Sequence, residues 1–302
     1  MKKRLLSIVL TAVLCLGLLP TAVFAENEGA TEIWLGGGGV ISKPATYPVQ
    51  AEENKDSDGS VSLSKSDAAK GDIVTITVKP DRYYKVGNVI VRDSKGKELP
   101  VKDNGNVTYT FEMPADKVTV KPTFLWVNPF MDVTENDYFI SAVEWMLKHD
   151  VTKGTTETTF SPYQNCIRGQ IVAFLWRSAG SPAPKSTINP FSDVSEDAYY
   201  CNAVLWAVEN GFAKGTDDTA FSPDQTVTRG QTVAFLYRMA GSPDAYGNSF
   251  SDVEDDAYYG PTVRWAVGLG ITQGTGPETF SPNEPCNRAQ IGTFLYRQNG
   301  GK

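Results

Sequence analysis

Histidine is almost absent from this sequence of 302 residues, which contains only His149, and cysteine occurs four times. A zinc site needs several nitrogen and sulfur ligands at short spacings, and no such pattern is present. The single histidine also argues against a Ser/His/Asp or Cys/His catalytic set. The sequence therefore predicts no catalytic residues, no metal site and no cofactor.

Long hydrophobic runs are missing after the first 25 residues. Three basic residues at positions 2–4 precede an apolar run over 5–19, and Val23 and Ala25 stand at the −3 and −1 positions of a cleavage site. This pattern is typical of a secretory signal peptide over residues 1–25, not of a membrane-spanning helix. Because no second run exists, we expect an exported protein without a membrane span.

Basic charge is also in deficit. The chain after the predicted signal peptide has 25 basic and 35 acidic residues, a net charge of −10. Proteins that bind nucleic acid present a basic surface to the phosphates, so this balance excludes nucleic acid as the expected partner.

One pattern occurs three times in the second half of the chain. Each copy opens with Phe-x-Asp-Val at Phe130, Phe191 or Phe250, and these starts lie 61 and 59 residues apart. An aromatic residue follows after 8 positions, a tryptophan after 15, a glycine after 24, Phe-Ser-Pro after 30 and an arginine after 38. The common register indicates a tandem array of repeats over 128–182, 189–243 and 248–300, which we expect to fold as one unit.

Each repeat is predicted to contain two helices. An acidic stretch precedes the first, and its carboxylates are expected to cap that helix. The second helix starts at the repeated arginine, with Thr228 and Asn287 as N-caps in the second and third repeats and a glutamine three residues on completing a capping box. Ile167 holds this place in the first repeat and offers no oxygen, which predicts a weaker site there.

The repeated arginine allows two interpretations. At the start of a helix it lies beside backbone N–H groups that lack partners within the helix, and together they form a site for a carboxylate or phosphate. Gly169 and Gly230 would let such a ligand approach closely. Alternatively, the arginine forms a structural ion pair with an aspartate of a neighbouring repeat.

The β-strand pattern of residues 46–126 predicts an all-β module. Val74, Ile76 and Val78 alternate with threonines, and glycine- and asparagine-rich turns separate this run from others like it. The segments 71–80 and 109–115 resemble the divergent internalin-B-like repeats of bacterial surface proteins, which implies a stalk or adhesion unit. Residues 26–45 are glycine-rich and are predicted to be a flexible lead-in.

The motifs of the array (Phe-x-Asp-Val, Gly-Thr, Phe-x-Pro and Thr-Arg-Gly-Gln) resemble S-layer homology domains in triplicate over 128–299. That family implies a pseudo-threefold helical bundle whose grooves bind a secondary cell wall polysaccharide, commonly through a pyruvylated sugar. The fold class expected is therefore α+β multidomain, a small all-β module followed by a mainly α-helical array. The candidate polymer-binding residues are Arg168, Arg229, Arg288, Gln170, Gln231, Gln290, Asp132, Asp193, Asp252, Tyr138, Tyr199, Tyr258, Trp145, Trp206 and Trp265.

The leading hypothesis is a non-catalytic surface protein that is secreted and retained at the bacterial cell wall or S-layer. Two alternatives stay open: an adhesin whose β module binds an external glycan or protein, and a wall-anchored enzyme acting on glycans. Cys166, Cys201 and Cys286 are interpreted as small buried side chains. Cys166 and Cys286 hold equivalent places in two repeats, and a threefold arrangement predicts that they lie too far apart for a disulfide.

Overall fold

The computed structural model describes residues 32–35, 39–52, 58–247 and 250–301. The predicted signal peptide lies outside them. An all-β module precedes a helical array, so the predicted fold class is confirmed. No helix in the described ranges combines the length and the apolar character needed to cross a membrane.

The lead-in, residues 26–45, was predicted to be flexible, but part of it forms β-strands. Strand β1 (Glu32–Leu35) pairs antiparallel with β2 (Gly39–Ser42), and Trp34 lies opposite Val40. Aromatic and β-branched residues flank the glycine run and favour strands, which the glycine-rich composition concealed.

The β module consists of two four-stranded sheets. Their orders are β5-β3-β10-β7 and β4-β6-β9-β8, and all neighbours pair antiparallel except the parallel pair β3 and β10. The strands are β3 (Thr46–Ala51), β4 (Gly59–Leu63), β5 (Asp67–Ala69), β6 (Ile73–Pro80), β7 (Tyr84–Asp93), β8 (Lys102–Asp103), β9 (Thr108–Glu112) and β10 (Val118–Trp126). The alternation in the sequence places Val74, Ile76 and Val78 in the module's core, where all three are fully buried.

The described part of the array contains six helices, two in each repeat. They are α1 (Ile140–Lys148), α2 (Arg168–Ser178), α3 (Cys201–Glu209), α4 (Arg229–Met239), α5 (Gly260–Gly268) and α6 (Arg288–Gln298). The second helix of every repeat begins at the repeated arginine, and the side chains of Thr228 and Asn287 cap α4 and α6 as predicted. Ile167 makes no side-chain cap on α2.

The acidic stretches do not cap the first helices, contrary to expectation. The N-cap residues are aromatic (Phe139, Tyr200 and Tyr259) and make no side-chain cap hydrogen bond. In the first repeat the carboxylate instead shapes the preceding turn, where Asp137 Oδ2 accepts the Thr134 backbone N–H at 2.6 Å.

Three extended segments, one from each repeat, meet at the pseudo-threefold axis. Their backbones bond in a ring: Cys166 N–H donates to Cys286 O (3.0 Å), Cys286 N–H to Val227 O (2.9 Å) and Val227 N–H to Cys166 O (2.9 Å). The prediction that Cys166 and Cys286 lie far apart is wrong, because these equivalent positions converge on the axis. The predicted burial of the cysteines is confirmed, and all three thiols are free in this structure.

The β module is docked on the first repeat. Tyr84 Oη donates to Glu144 Oε1 on α1 at 2.8 Å, and Lys148 pairs with Asp58. Burial, followed by the adjacent carboxylate, raises the pKa of Tyr84 above its ordinary value. Tyr83 packs against the core of the array. These contacts give the tandem tyrosines a place in the interface between the two parts.

We expect the complete array, residues 128–302, to unfold in one cooperative transition. A fragment of residues 128–243, which lacks the third repeat, should show no such transition. Helix α1 packs on α6 of the third repeat, so removing that repeat exposes the core of the first. Thermal unfolding followed by far-ultraviolet circular dichroism compares the fragment with 128–302. A sharp, native-like transition of the fragment would contradict this expectation.

Candidate functional site

The repeated arginines join each repeat to the next in a closed cycle. Nε of Arg168 donates to Phe221 O in the second repeat at 3.0 Å. Arg229 bonds Phe280 O in the third (2.8 Å), and Arg288 bonds Phe160 O in the first (2.7 Å). Each guanidinium carbon also lies 4.7–4.8 Å from the ring centroid of that phenylalanine. The arginines are 94–97% buried, so these contacts replace water around a buried cation.

The aspartates of Phe-x-Asp-Val hold the same peptide from the other side. Oδ1 of Asp193 accepts the N–H of Phe221 at 2.8 Å, and Oδ2 accepts that of Ser222 at 2.7 Å. Asp132 and Asp252 repeat this geometry in their own repeats. The predicted direct ion pair between arginine and aspartate is therefore wrong, because the Phe-Ser backbone lies between them.

The helix N-termini are not free to bind an anion. Arg168 N–H donates to Gln225 O (2.9 Å) and Gly169 N–H to Pro223 O (2.8 Å), and the other two repeats show the same pattern. The glycine has a packing role as well, since a Cβ on Gly169 would lie 2.9 Å from the ring of Tyr200. The interpretation of these N–H groups and glycines as a ligand site is wrong, because the neighbouring repeat already occupies them.

Three equivalent grooves open between the repeats, and we number them by the repeat that supplies the floor. Groove 1 measures about 510 Å³, groove 2 about 260 Å³ and groove 3 about 370 Å³. Groove 1 includes Lys153, Gln170, Arg177, Tyr199 and Arg288. Groove 2 includes Arg168, Lys214, Gln231, Arg238 and Tyr258. Groove 3 includes Tyr138, Arg229, Gln273, Gln290 and Arg297.

Each groove needs all three repeats. In groove 3 the floor comes from the third repeat, the buried Arg229 from the second and Tyr138 from the first. Tyr138, Tyr199 and Tyr258 are 56–63% exposed at the rims. Desolvation raises the pKa of each tyrosine, so the hydroxyls remain protonated donors at neutral pH.

The glutamines have two roles. Gln170, Gln231 and Gln290 line their grooves, and each Oε1 also accepts the backbone N–H of the residue before the helix at 3.1–3.2 Å. The capping bond fixes the side chain and leaves its amide NH₂ as the remaining donor group.

The tryptophans lie outside the grooves. Trp206 and Trp265 are 7% and 4% exposed, and Trp265 packs edge-on against Tyr237. Trp145 is partly buried between His149 and Tyr296. None of the three lines the grooves defined above, and their contacts are those of core packing.

A second arginine in each groove was missed by the sequence reasoning. Arg177, Arg238 and Arg297 are half-buried and each donates to a backbone carbonyl just after the repeat's first helix at 3.3–3.4 Å. The signal was present, because each follows Phe-Ser-Pro by the same interval of 17 residues. Helical periodicity alone places these arginines on the solvent-exposed face of the second helix, so it did not indicate that they line a groove.

The grooves concentrate cations within an acidic array. Residues 128–302 contain 12 basic and 20 acidic residues, yet six arginines and two lysines line the grooves. Among the described lining residues, Asp150 of groove 1 is the only carboxylate. Local attraction for an anion therefore coexists with a net charge that opposes long-range steering.

Groove 3 differs from the other two grooves in the hydrogen bonding of its buried arginine. The Nη2 of Arg168 donates to Lys214 O at 2.8 Å, and that of Arg288 contacts Thr152 Oγ1 at 3.4 Å. The Nη2 of Arg229 is buried and has no hydrogen-bond partner within the described part of the chain. Burial lowers the pKa of Arg229, but a guanidinium remains protonated at neutral pH. An unpaired buried donor costs about 1–3 kcal/mol unless a ligand satisfies it.

Comparison with known proteins finds that one protein family matches this sequence. The family described as S-layer homology domain matches residues 129–172, 190–233 and 249–291. A "Cell surface protein" of Thermoanaerobacter kivui is 34% identical over 119 residues, covering 37% of this chain and 16% of that protein. A "Surface-layer 125 kDa protein" of Lysinibacillus sphaericus is 26% identical over 167 residues (53% and 14%), and an "Endoglucanase" of Bacillus sp. (strain KSM-635) is 27% identical over 183 residues (56% and 19%). The chain thus spans less than a fifth of the length of these relatives.

We expect Asp193→Ala to lower the free energy of unfolding by about 1–3 kcal/mol, because the N–H groups of Phe221 and Ser222 lose their acceptor. Asp218→Ala makes the same charge change at an exposed position and should stay within about 0.5 kcal/mol of the parent. Urea titration measures both. Equal effects of the two substitutions would contradict the bridging role of Asp193.

Proposed function

The chain carries three S-layer homology domains, and from this premise we propose that it is a surface protein anchored to the bacterial cell wall through an anionic wall polysaccharide bound in the inter-repeat grooves. Cell-surface and surface-layer proteins among the relatives support the anchoring role. The β module is the part that the array would hold at the surface.

The observation that carries this proposal is the unpaired Nη2 of Arg229 in groove 3. A carboxylate is the ligand that matches a guanidinium best, since charge-assisted bonds are about twice as strong as neutral ones. The described lining of groove 3 contains Arg297 as a second cation and no carboxylate that would repel the ligand.

The rest of the groove suits a sugar that bears the carboxylate. Tyr138, Gln273 and Gln290 offer hydroxyl and amide groups around the two arginines, and Phe294 offers an apolar surface. A pyruvylated sugar combines one carboxylate with hydroxyls and an apolar ring face. We therefore propose a pyruvylated residue of the wall polymer as the ligand of groove 3.

We propose a non-catalytic role for the grooves. Glycoside hydrolysis commonly uses a pair of carboxylates flanking the scissile bond. The described lining of groove 1 contains one carboxylate, Asp150, and the linings of grooves 2 and 3 contain none. The endoglucanase among the relatives supports no enzymatic role here, because the chain spans 19% of that protein.

The β module is proposed to be displayed in a fixed orientation. The Tyr84–Glu144 bond and the Lys148–Asp58 pair join it to the first repeat at two points. A ligand of this module, as an adhesin would require, stays a prediction of the sequence.

Three equivalent substitutions test the grooves. Arg177→Ala, Arg238→Ala and Arg297→Ala each remove one bond to a carbonyl at 3.3–3.4 Å, so they serve as structural controls for one another. We expect Arg297→Ala to weaken binding to isolated wall polymer by about 1.5–3 kcal/mol, because it removes a cation beside the unpaired Arg229, and the other two to cost less. Titration calorimetry measures the affinity.

Arg264→Ala makes the same charge change outside the grooves, where the half-buried Arg264 pairs with the exposed Asp255, and should leave binding unchanged. Circular dichroism confirms first that each variant is folded. A loss confined to Arg177→Ala or Arg238→Ala would refute the assignment to groove 3, and full binding by all three variants would refute groove-mediated anchoring altogether.

A further inference from the structure

Cys166 and Cys286 are neighbours on two short antiparallel segments at the pseudo-threefold axis. Asn165 lies opposite Asn287 in an antiparallel bridge. Two backbone bonds flank this pair, from Cys166 N–H to Cys286 O and from Arg288 N–H to Gln164 O, both at 3.0 Å. The next residues in this register place Cys166 directly opposite Cys286.

This register matches the geometry of a disulfide. One backbone bond of 3.0 Å joins the two residues directly, because Cys286 N–H donates to Val227 O and not back to Cys166. Residues that face each other across such a bond in an antiparallel arrangement have Cα atoms about 5.5 Å apart. Disulfides are most common at Cα separations of about 5.5–6 Å. Both side chains are fully buried in the core that the three repeats share.

The position of the pair in the chain is also informative. The polypeptide connects the first repeat to the second and the second to the third, but the contact between the first and third has no covalent connection. Cys166 and Cys286 belong to those two repeats. Val227 of the second repeat completes the ring at the axis and is equally buried.

We propose that Cys166 and Cys286 form a cross-linking site whose oxidation joins the first repeat to the third and closes the array covalently. The oxidant is a small disulfide or a disulfide-bearing oxidoreductase. One cysteine thiolate attacks the oxidant's disulfide, forms a mixed disulfide and releases one thiol. The second cysteine then attacks the protein sulfur of that mixed disulfide and releases the second thiol. Two protein thiols are oxidised, one external disulfide is reduced to two thiols, and the protons of the two cysteines end on the released thiols.

The bond must form before the array has closed. Burial raises the pKa of Cys166 to about 12 and that of Cys286 to about 11, so the closed array holds almost no thiolate at neutral pH. The same burial shields a formed bond from external thiols. The redox conditions during folding therefore decide which form is kept.

Refolding in a defined redox buffer tests the site. The full chain with Cys15→Ser and Cys201→Ala retains only the pair. It is reduced, denatured, and refolded with either reduced or oxidised glutathione, then alkylated under denaturing conditions and mapped by mass spectrometry. We expect a cross-linked peptide containing Cys166 and Cys286 in the monomer refolded with oxidised glutathione, and an upward shift of its urea midpoint over the reduced form.

Cys286→Val provides the matched control, because Val227 shows that valine fits this place. In that background the cross-link should vanish and the urea midpoint should not respond to reductant. The same mapping on a chain with native Cys201 guards against an effect of that substitution.

Three results would overturn the proposal. The first is that both thiols are alkylated in folded monomer recovered from oxidised glutathione. The second is that the cross-link occurs only between different chains. The third is that refolding succeeds with reduced but fails with oxidised glutathione, because the bond would then be incompatible with the closed array.

Discussion

The structure depends on a buried guanidinium that bonds a backbone carbonyl of the next repeat. Arg168 illustrates it: Nε donates to Phe221 O, while Asp193 accepts the N–H of Phe221 and that of Ser222. One peptide segment thus links a cation from one repeat to a carboxylate from another. An isolated repeat would lose these bonds, and the apolar core that it shares with the other two repeats would be exposed to water. The cycle therefore favours a closed set of three.

Closure also creates the three grooves between the repeats. The same arginines that reach across the interfaces form the back walls of the grooves, and each rim tyrosine comes from a further repeat. The side chains that would bind the wall polymer are thus held by the contacts that hold the fold. Truncating a buried arginine would therefore remove a structural bond together with the proposed ligand contact. Arg177, Arg238 and Arg297 separate the two roles better, because each makes only one long bond of 3.3–3.4 Å to a backbone carbonyl.

The repeats are equivalent in backbone and unequal in chemistry. Lys153 and Lys214 of grooves 1 and 2 correspond to Gln273 in groove 3, and the buried arginines differ in whether Nη2 has an internal partner. The three equivalent positions at the axis also differ, because two are cysteines, Cys166 and Cys286, and the third is Val227. Pseudo-symmetry fixes where side chains lie, and substitutions at the equivalent positions set what each place can do.

The sequence by itself determined the repeats, the two helices of each, the caps at Thr228 and Asn287 and the buried alternation of β6. These follow from local periodicity and from bonds within a few residues. The tertiary structure decided everything that joins distant repeats: that Arg168 bonds a carbonyl and not an aspartate, that the helix N-termini are occupied, that Trp206 is core, and that Cys166 meets Cys286. Local spacing cannot encode these pairings, because each depends on how the three repeats close around the axis.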